Sequence, residues 1–304
     1  MARAVHHRTA TVNGLEVFYR EAGDPNAPAV VLLHGFPTSS HMFRHLIPAL
    51  ADRYHVIAPD HIGFGQSAMP ALRDFPYTFD ALTEVTSGLL EHLGVDRFAM
   101  YVQDYGAPIG WRLALQAPDR VTAIITQNGN AYEEGFVKPF WDEVFAYTTS
   151  PGPDTEAPMR GALTLEVTRW QYLNGVADPS LVSPDNWVHD QALLDRPGND
   201  EIQLRLFRDY PTNVDLYPQV HQYFRDSRVP LLAVWGANDA IFGPDGARAF
   251  GQDLPDAEIH LIDSGHFALE SHLEIITEHI RDFLARVLVR AAPSGARPRS
   301  DVRA

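Results

Sequence analysis

The chain of 304 residues contains no cysteine. That excludes disulfides, thiolate metal sites and a cysteine nucleophile. It has no cluster of Lys or Arg and a formal net charge of −15, so nucleic acid and anionic membranes are not expected partners. No apolar run approaches the ~18 residues of a membrane span. The first residues, Met1 to His7, lack an apolar stretch of signal-peptide length. The absence of cysteine is compatible with a reducing cytoplasm, and a cytoplasmic protein is the expectation. Gly-x-Ser-x-Gly occurs nowhere, which disfavours a serine esterase. The glycines match neither a dinucleotide fingerprint nor a P-loop, and no metal or organic cofactor is implied.

What is present is an ordinary globular composition, 45% hydrophobic and 21% charged, with enough apolar residues for a sizeable core. The length suits one large α/β domain or a core plus an inserted cap. Thr9 to Val12 and Leu15 to Arg20 flank Asn13-Gly14, a two-residue hairpin signal. Apolar runs at Ala29 to Leu33, Tyr54 to Ala58, Phe98 to Val102, Val121 to Thr126, Leu231 to Trp235 and Glu258 to Ile262 read as buried strands. Between them lie helical patterns. Met42, Leu46 and Leu50 share a face. Thr78 reads as the N-cap of a helix that places Leu82, Val85, Leu89 and Leu93 inward and stops at Gly94. A last helix carries Leu273, Ile276, Ile280, Phe283, Leu284 and Val287. Alternating strands and helices predict a mostly parallel sheet covered on both faces. Residues 131–226 break the alternation and are too long for a loop, so they read as an inserted, largely helical cap. Residues 1–130 and 227–290 then form the core, and 291–304 read as a disordered tail.

Chemistry concentrates at strand ends. Val102-Gln103-Asp104-Tyr105-Gly106 lies between a strand and a helix, a setting that presents a side chain on a sharp, exposed turn. A carboxylate attacking an ester carbonyl would give an anhydride, whereas attack on saturated carbon gives a stable alkyl ester. Asp104 therefore points to an sp3 carbon bearing a halide or held in an epoxide ring. Asp239 and His266 each follow a later strand, and the carboxyl ends of strands converge in open α/β sheets. His266 would draw a proton from water attacking the ester, with Asp239 holding the imidazole tautomer. The N–H groups of Phe36 and Tyr105 are the candidate donors to the oxyanion. Asp60, with Gly63, Gly65 and Ser67, reads as a structural turn beside the site.

These residues carry a resemblance over nearly the full chain. His34-Gly35-Phe36-Pro37, Asp60 to Ser67, Gln103 to Gly106, Gly236 to Asp239 and Gly265-His266 resemble the α/β-hydrolase superfamily, in its aspartate-nucleophile branch of haloalkane dehalogenases and epoxide hydrolases. The resemblance implies an α/β-hydrolase fold, an eight-stranded sheet with an inserted helical cap, and a small hydrophobic substrate with water as the second substrate. Monomer and homodimer are both compatible with it. Two departures separate the chain from dehalogenases of this branch. They usually place a Trp after the nucleophile to hold the departing halide, where Tyr105 stands here. One subgroup has an Asn donor at the place of Phe36. Ile62-Gly63-Phe64-Gly65, by contrast, is more similar to dehalogenases. Tyr105 and Pro108 stand where haloacid enzymes carry Arg, which argues against haloacids.

Epoxide hydrolases use cap tyrosines to donate to the ring oxygen. The cap segment holds Tyr132, Tyr147, Tyr172, Tyr210, Tyr217 and Tyr223. Asn213 to Tyr217 is similar to the family's Asn-x-Tyr region, which makes Tyr217 the first candidate, Tyr147 the second and Tyr172 the reserve. Trp170 or Trp187 could instead present an indole N–H to a halide. Epoxide hydrolase, haloalkane dehalogenase and a non-catalytic binding protein on the same fold are the three readings, in that order.

Overall fold

Asn13 and Gly14 both adopt positive φ, 52° and 80°, as a tight turn between right-twisted strands requires. They join β1 (His6–Val12) to β2 (Leu15–Ala22), with Val12 opposite Leu15. The computed structural model describes residues 4–290, so the tail expected to be disordered lies outside them. The six apolar runs form β3 (Ala29–Leu33), β4 (His55–Pro59), β5 (Phe98–Gln103), β6 (Val121–Gln127), β7 (Leu231–Gly236) and β8 (Glu258–Ile262). Together the strands make one sheet in the order β1-β2-β4-β3-β5-β6-β7-β8. β2 pairs antiparallel with β1 and β4, and the remaining pairs are parallel.

The period of two along each strand divides the core. On β3, Val31 and Leu33 join one apolar cluster while Val30 and Leu32 join the other. α2 (Phe79–His92) and α3 (Gly106–Gln116) cover the first face. α1 (Leu46–Leu50) covers the second, together with a long C-terminal helix, Ala268–Arg290. Each large apolar side chain taken fully from water contributes roughly 1.5–3 kcal/mol, and both faces are lined with such residues. Thr78 caps α2, its hydroxyl accepting from the Ala81 N–H at 3.2 Å. The Met42, Leu46 and Leu50 face is buried as expected, but the segment divides into a 3-10 turn, Ser40–Phe43, and the short α1.

Between Gln127 and Leu231 the chain runs through α4 (Phe140–Thr149), α5 (Pro153–Gly161), α6 (Leu165–Leu173), α7 (Pro184–Leu194), α8 (Asn199–Asp209) and α9 (Pro211–Ser227). No strand occurs there among the described residues; its one ladder contact is an isolated bridge, Phe136 to Phe242. α10 (Pro244–Asp253) then follows β7, and the C-terminal helix is α11. Polar contacts fasten the helical insert to the core. Arg112 of α3 donates to Asn213 Oδ1 at 2.6 Å and to Thr212. Asn199 and Arg196 donate to the Gly63 carbonyl. Arg44 and Asn186 both donate to Glu270 at the start of α11.

Candidate active site

β5 ends at Gln103 and α3 begins at Gly106, leaving Asp104 and Tyr105 to make the turn. Asp104 is held at φ 47°, a region that costs a non-glycine residue roughly 1–3 kcal/mol. The tightness depends on glycine neighbours. A Cβ on Gly106 would lie 2.1 Å from the Leu33 carbonyl oxygen, and one on Gly35 would lie 2.4 Å from Asp104 Oδ1. With no side chain at 35, the loop backbone reaches the carboxylate. Phe36 N–H donates to Asp104 Oδ1 at 2.7 Å, and Tyr105 N–H donates to the same oxygen at 2.6 Å. The other oxygen, Oδ2, lies 3.9 Å from His266 Nε2. One carboxylate thus has two unlike oxygens, one fixed by backbone donors and one facing the imidazole.

His266 Nδ1 donates to Asp239 Oδ2 at 2.8 Å. Asp239 is itself held: Oδ1 accepts from Ile241 N–H and Oδ2 from Asn128 Nδ2, each at 2.8 Å. Asn128 stands just past β6 at φ 49°, and its amide oxygen accepts from Gly236 N–H, tying β6 to β7. Gln127 donates to the His266 carbonyl at 2.7 Å, and Gln103 Nε2 lies 2.9 Å from His266 Nε2. Asp104, Asp239 and His266 are all buried. Burial pushes the Asp104 carboxyl up from its ordinary range, against the charge of His266 and the two N–H donors. Burial presses the His266 imidazole down, but the charges of Asp239 and Asp104 outweigh it and hold the ring above its usual value. The structure thus brings the three strand-end groups together, with the Phe36 and Tyr105 N–H groups on one oxygen of Asp104. Asp60 forms a turn, accepting from Ser40 N–H and Gln66 N–H at 2.7 Å.

Over this edge sits an aromatic wall. The Tyr105 ring packs on Phe36, Phe79 and Tyr210. Tyr210 and Tyr217 are buried and their hydroxyls are hydrogen-bonded to each other. Tyr217 also accepts from Asn130 Nδ2 at 3.4 Å. Burial pushes the Tyr210 phenol well up, and the Asp104 charge raises it further, which puts this phenol within electrostatic reach of the carboxylate. Tyr210 lines this wall, although the sequence reading singled out Tyr217 instead. Its signal was the spacing from Tyr217, seven residues and so one helical face.

The other expected cap residues lie elsewhere. Tyr147 buries its ring, but its hydroxyl accepts from Arg208 at 2.9 Å in a crevice shared with Glu156 and Glu201. The cause is the packing of α4, which meets α5 and α8. Tyr172 stacks on Phe267, next to His266, but its hydroxyl is committed to Asp190 at 2.5 Å. Trp170 is 39% exposed on α6. Trp187 lies against Tyr172 and beneath Arg169. The indoles of Trp111, Trp141 and Trp235 all donate to backbone carbonyls.

The family model described as the alpha/beta hydrolase fold matches residues 28–150 and 187–273. An uncharacterized hydrolase of Saccharomyces cerevisiae is 45% identical over 282 residues, 92% of this chain and 97% of that protein. Epoxide hydrolase A of Mycobacterium tuberculosis is 40% identical over 133 residues, 43% of this chain and 41% of that protein. A haloalkane dehalogenase structure from Bradyrhizobium elkani matches with TM-score 0.80 and 26% identity, covering 95% of this chain and 99% of that one. The chain belongs to the α/β-hydrolase family and is a hydrolase similar to haloalkane dehalogenases and epoxide hydrolases.

Proposed function

We propose that the protein hydrolyses a small hydrophobic epoxide to a vicinal diol through an alkyl ester on Asp104. Oδ2, free of backbone donors, attacks the ring carbon. The ring oxygen departs toward the Tyr210–Tyr217 pair, and a phenol with an ordinary pKa near 10 suits a strongly basic alkoxide. Water then attacks Cγ of the ester. His266 takes the proton, Asp239 steadies the imidazolium, and the negative charge collects on Oδ1 between the two N–H groups. Each such donor is worth roughly 3–4 kcal/mol to a transition state of this kind. In this reading residues 131–226 act as the cap that closes the hydrophobic site over the triad.

The charge balance gives the two steps an order. Before attack, the Asp104 carboxylate is one of the charges that hold the His266 pKa up. Esterification removes that charge, the imidazole pKa falls, and the neutral form needed as base is favoured. Alkylation thereby prepares the base for the second step.

The observation that carries the epoxide reading is the buried Tyr210–Tyr217 pair, with Tyr210 packed on Tyr105 next to Asp104, while the Trp111, Trp141 and Trp235 indoles donate to backbone carbonyls and Trp170 is exposed. Dehalogenation is the second reading, favoured by the likeness to a haloalkane dehalogenase along the whole chain. A panel of styrene-type epoxides and 1-bromoalkanes separates them: diol without halide release is expected, and halide release with no diol would reverse the order.

A further inference from the structure

The reaction above uses both nitrogens of His266, Nδ1 for Asp239 and Nε2 for water. Nε2 already has a protein neighbour. Gln103 Nε2 lies 2.9 Å away. With Nδ1–H donated to Asp239, Nε2 carries the lone pair, so the Gln103 amide N–H is the donor. In the resting site this contact fills the single Nε2 lone pair, so the Gln103 N–H yields that lone pair to water before His266 acts as base. Gln103 is the last residue of β5, next to Asp104 in sequence and fully buried. Its amide oxygen, Oε1, is buried with no hydrogen-bond partner. An unpaired buried amide oxygen loses its hydration without return, and Leu or Met would fill the same space without that loss.

We propose that Gln103 is the positioning residue of the ester-hydrolysis step, its Oε1 accepting one hydrogen of the water whose other hydrogen goes to His266 Nε2. The proposal rests on the reading of Asp104 as the esterified carboxylate. Attack on Cγ needs a water with its lone pair aimed at carbon, so both of its hydrogens must be held elsewhere. The carboxylate oxygens beside it that are not part of the ester bond are occupied. Asp104 Oδ1 takes the Phe36 and Tyr105 N–H groups, and both Asp239 oxygens have donors. Gln103 Oε1 has no other duty. In the step, the water oxygen bonds to Cγ, its proton passes to His266 Nε2, and the carbonyl π pair moves to Oδ1. Collapse breaks the Cγ–Oδ2 bond, and Oδ2 leaves with the alcohol and the proton from His266. The hydrogen that is not transferred stays on the new Asp104 oxygen, hydrogen-bonded to Gln103 Oε1, and is lost to solvent as the carboxylate re-ionises.

Two variants, Gln103→Leu and Gln103→Glu, test this with styrene oxide in rapid-quench experiments followed by intact mass. For Gln103→Leu, alkylation within about twofold of the parent is expected, while ester decay slows tenfold or more and the adduct becomes visible. Gln103→Glu keeps an acceptor but sets a negative charge beside Nε2, holding His266 protonated. The acid limb of ester decay should then move up by about one pH unit, with the rate recovered in alkaline solution. Should Gln103→Leu not fold, the isosteric Gln103→Glu pH profile decides alone. Parent-like ester decay and an unmoved acid limb would overturn the proposal, as would equal slowing of both steps. His266→Gln is the control: an adduct there but normal decay in the Gln103 variants removes Gln103 alone, whereas no adduct in His266→Gln removes the ester reading itself.

Discussion

At the carboxyl edge of the sheet, where the parallel strands end, Asp239 is held by three donors of 2.8 Å and Asp104 by two N–H groups from different loops. In the helical insert, Tyr217 rests on a 3.4 Å contact to Asn130, its partner Tyr210 and the stacked ring of Phe136. The two regions meet over the Asp104 carboxylate and hold their groups by different means. The edge is fixed by backbone geometry, where a shift of one residue would break a strand. The insert is fixed by helix packing and by ties such as Arg112 to Asn213, which could be exchanged without altering the sheet. Reaction type should therefore follow the edge, and choice of leaving group should follow the insert.

Several substitutions would break or sharpen that division. Asp104→Asn removes the nucleophile and should lower turnover on the order of 10³-fold or more with any substrate; steady-state assays against both epoxide and bromoalkane check this. Tyr217→Phe and Tyr210→Phe should cost on the order of 10²-fold or more in epoxide opening, with far less effect on release of a halide, which needs no proton. Equal losses on both substrates would show that the insert does not govern the leaving group. Asp239→Asn tests the edge by pH. Asp239 is the leading influence raising the His266 pKa, so its loss should move the acid limb of ester hydrolysis downward while the maximal rate also falls. A limb that stays in place would remove Asp239 from that role.

A smaller effect concerns stability at the seam between the regions. Burial lifts the Asp190 carboxyl to about 7, while it accepts the Tyr172 hydroxyl. An unfolded Asp titrates near 3.9. Between those values the folded protein binds more protons than the unfolded chain, so Asp190 makes stability fall as pH rises from about 4 to about 7. Asp190→Asn should then raise Tm at pH 8 relative to the parent and leave it nearly unchanged at pH 4, as thermal melts would reveal. The smallest effects belong to Tyr147→Phe and Trp170→Ala, which should alter kcat/KM less than about twofold, because neither side chain reaches the carboxylate.

The sequence made the edge legible for a physical reason. Buried parallel strands read as apolar runs, and a polar residue ending such a run has to sit at the sheet edge. Asp104, Asp239 and His266 each do so, and Gly35 and Gly106 mark where backbone approaches backbone. Gln103 and Asn128 obey the same rule yet were overlooked, since each lies beside a more conspicuous residue. The insert was harder to read. Tyr147 lies on one face with Trp141 and Val144, as helical spacing implies, but nothing local says that this face meets α5 and α8. Tyr172 likewise gave no sign that Asp190 would take its hydroxyl, because the two are joined only through the packing of α6 on α7. Periodicity assigns a side chain to a face; what that face meets is a property of the whole fold.

The most direct measurement is a single turnover in H₂¹⁸O with enzyme in excess over styrene oxide, followed by digestion and mass analysis of the peptide carrying Asp104. One ¹⁸O in the Asp104 carboxylate and none in the first-turnover diol is the expected result. Diol bearing the label, with the peptide unlabelled, would contradict covalent catalysis by Asp104.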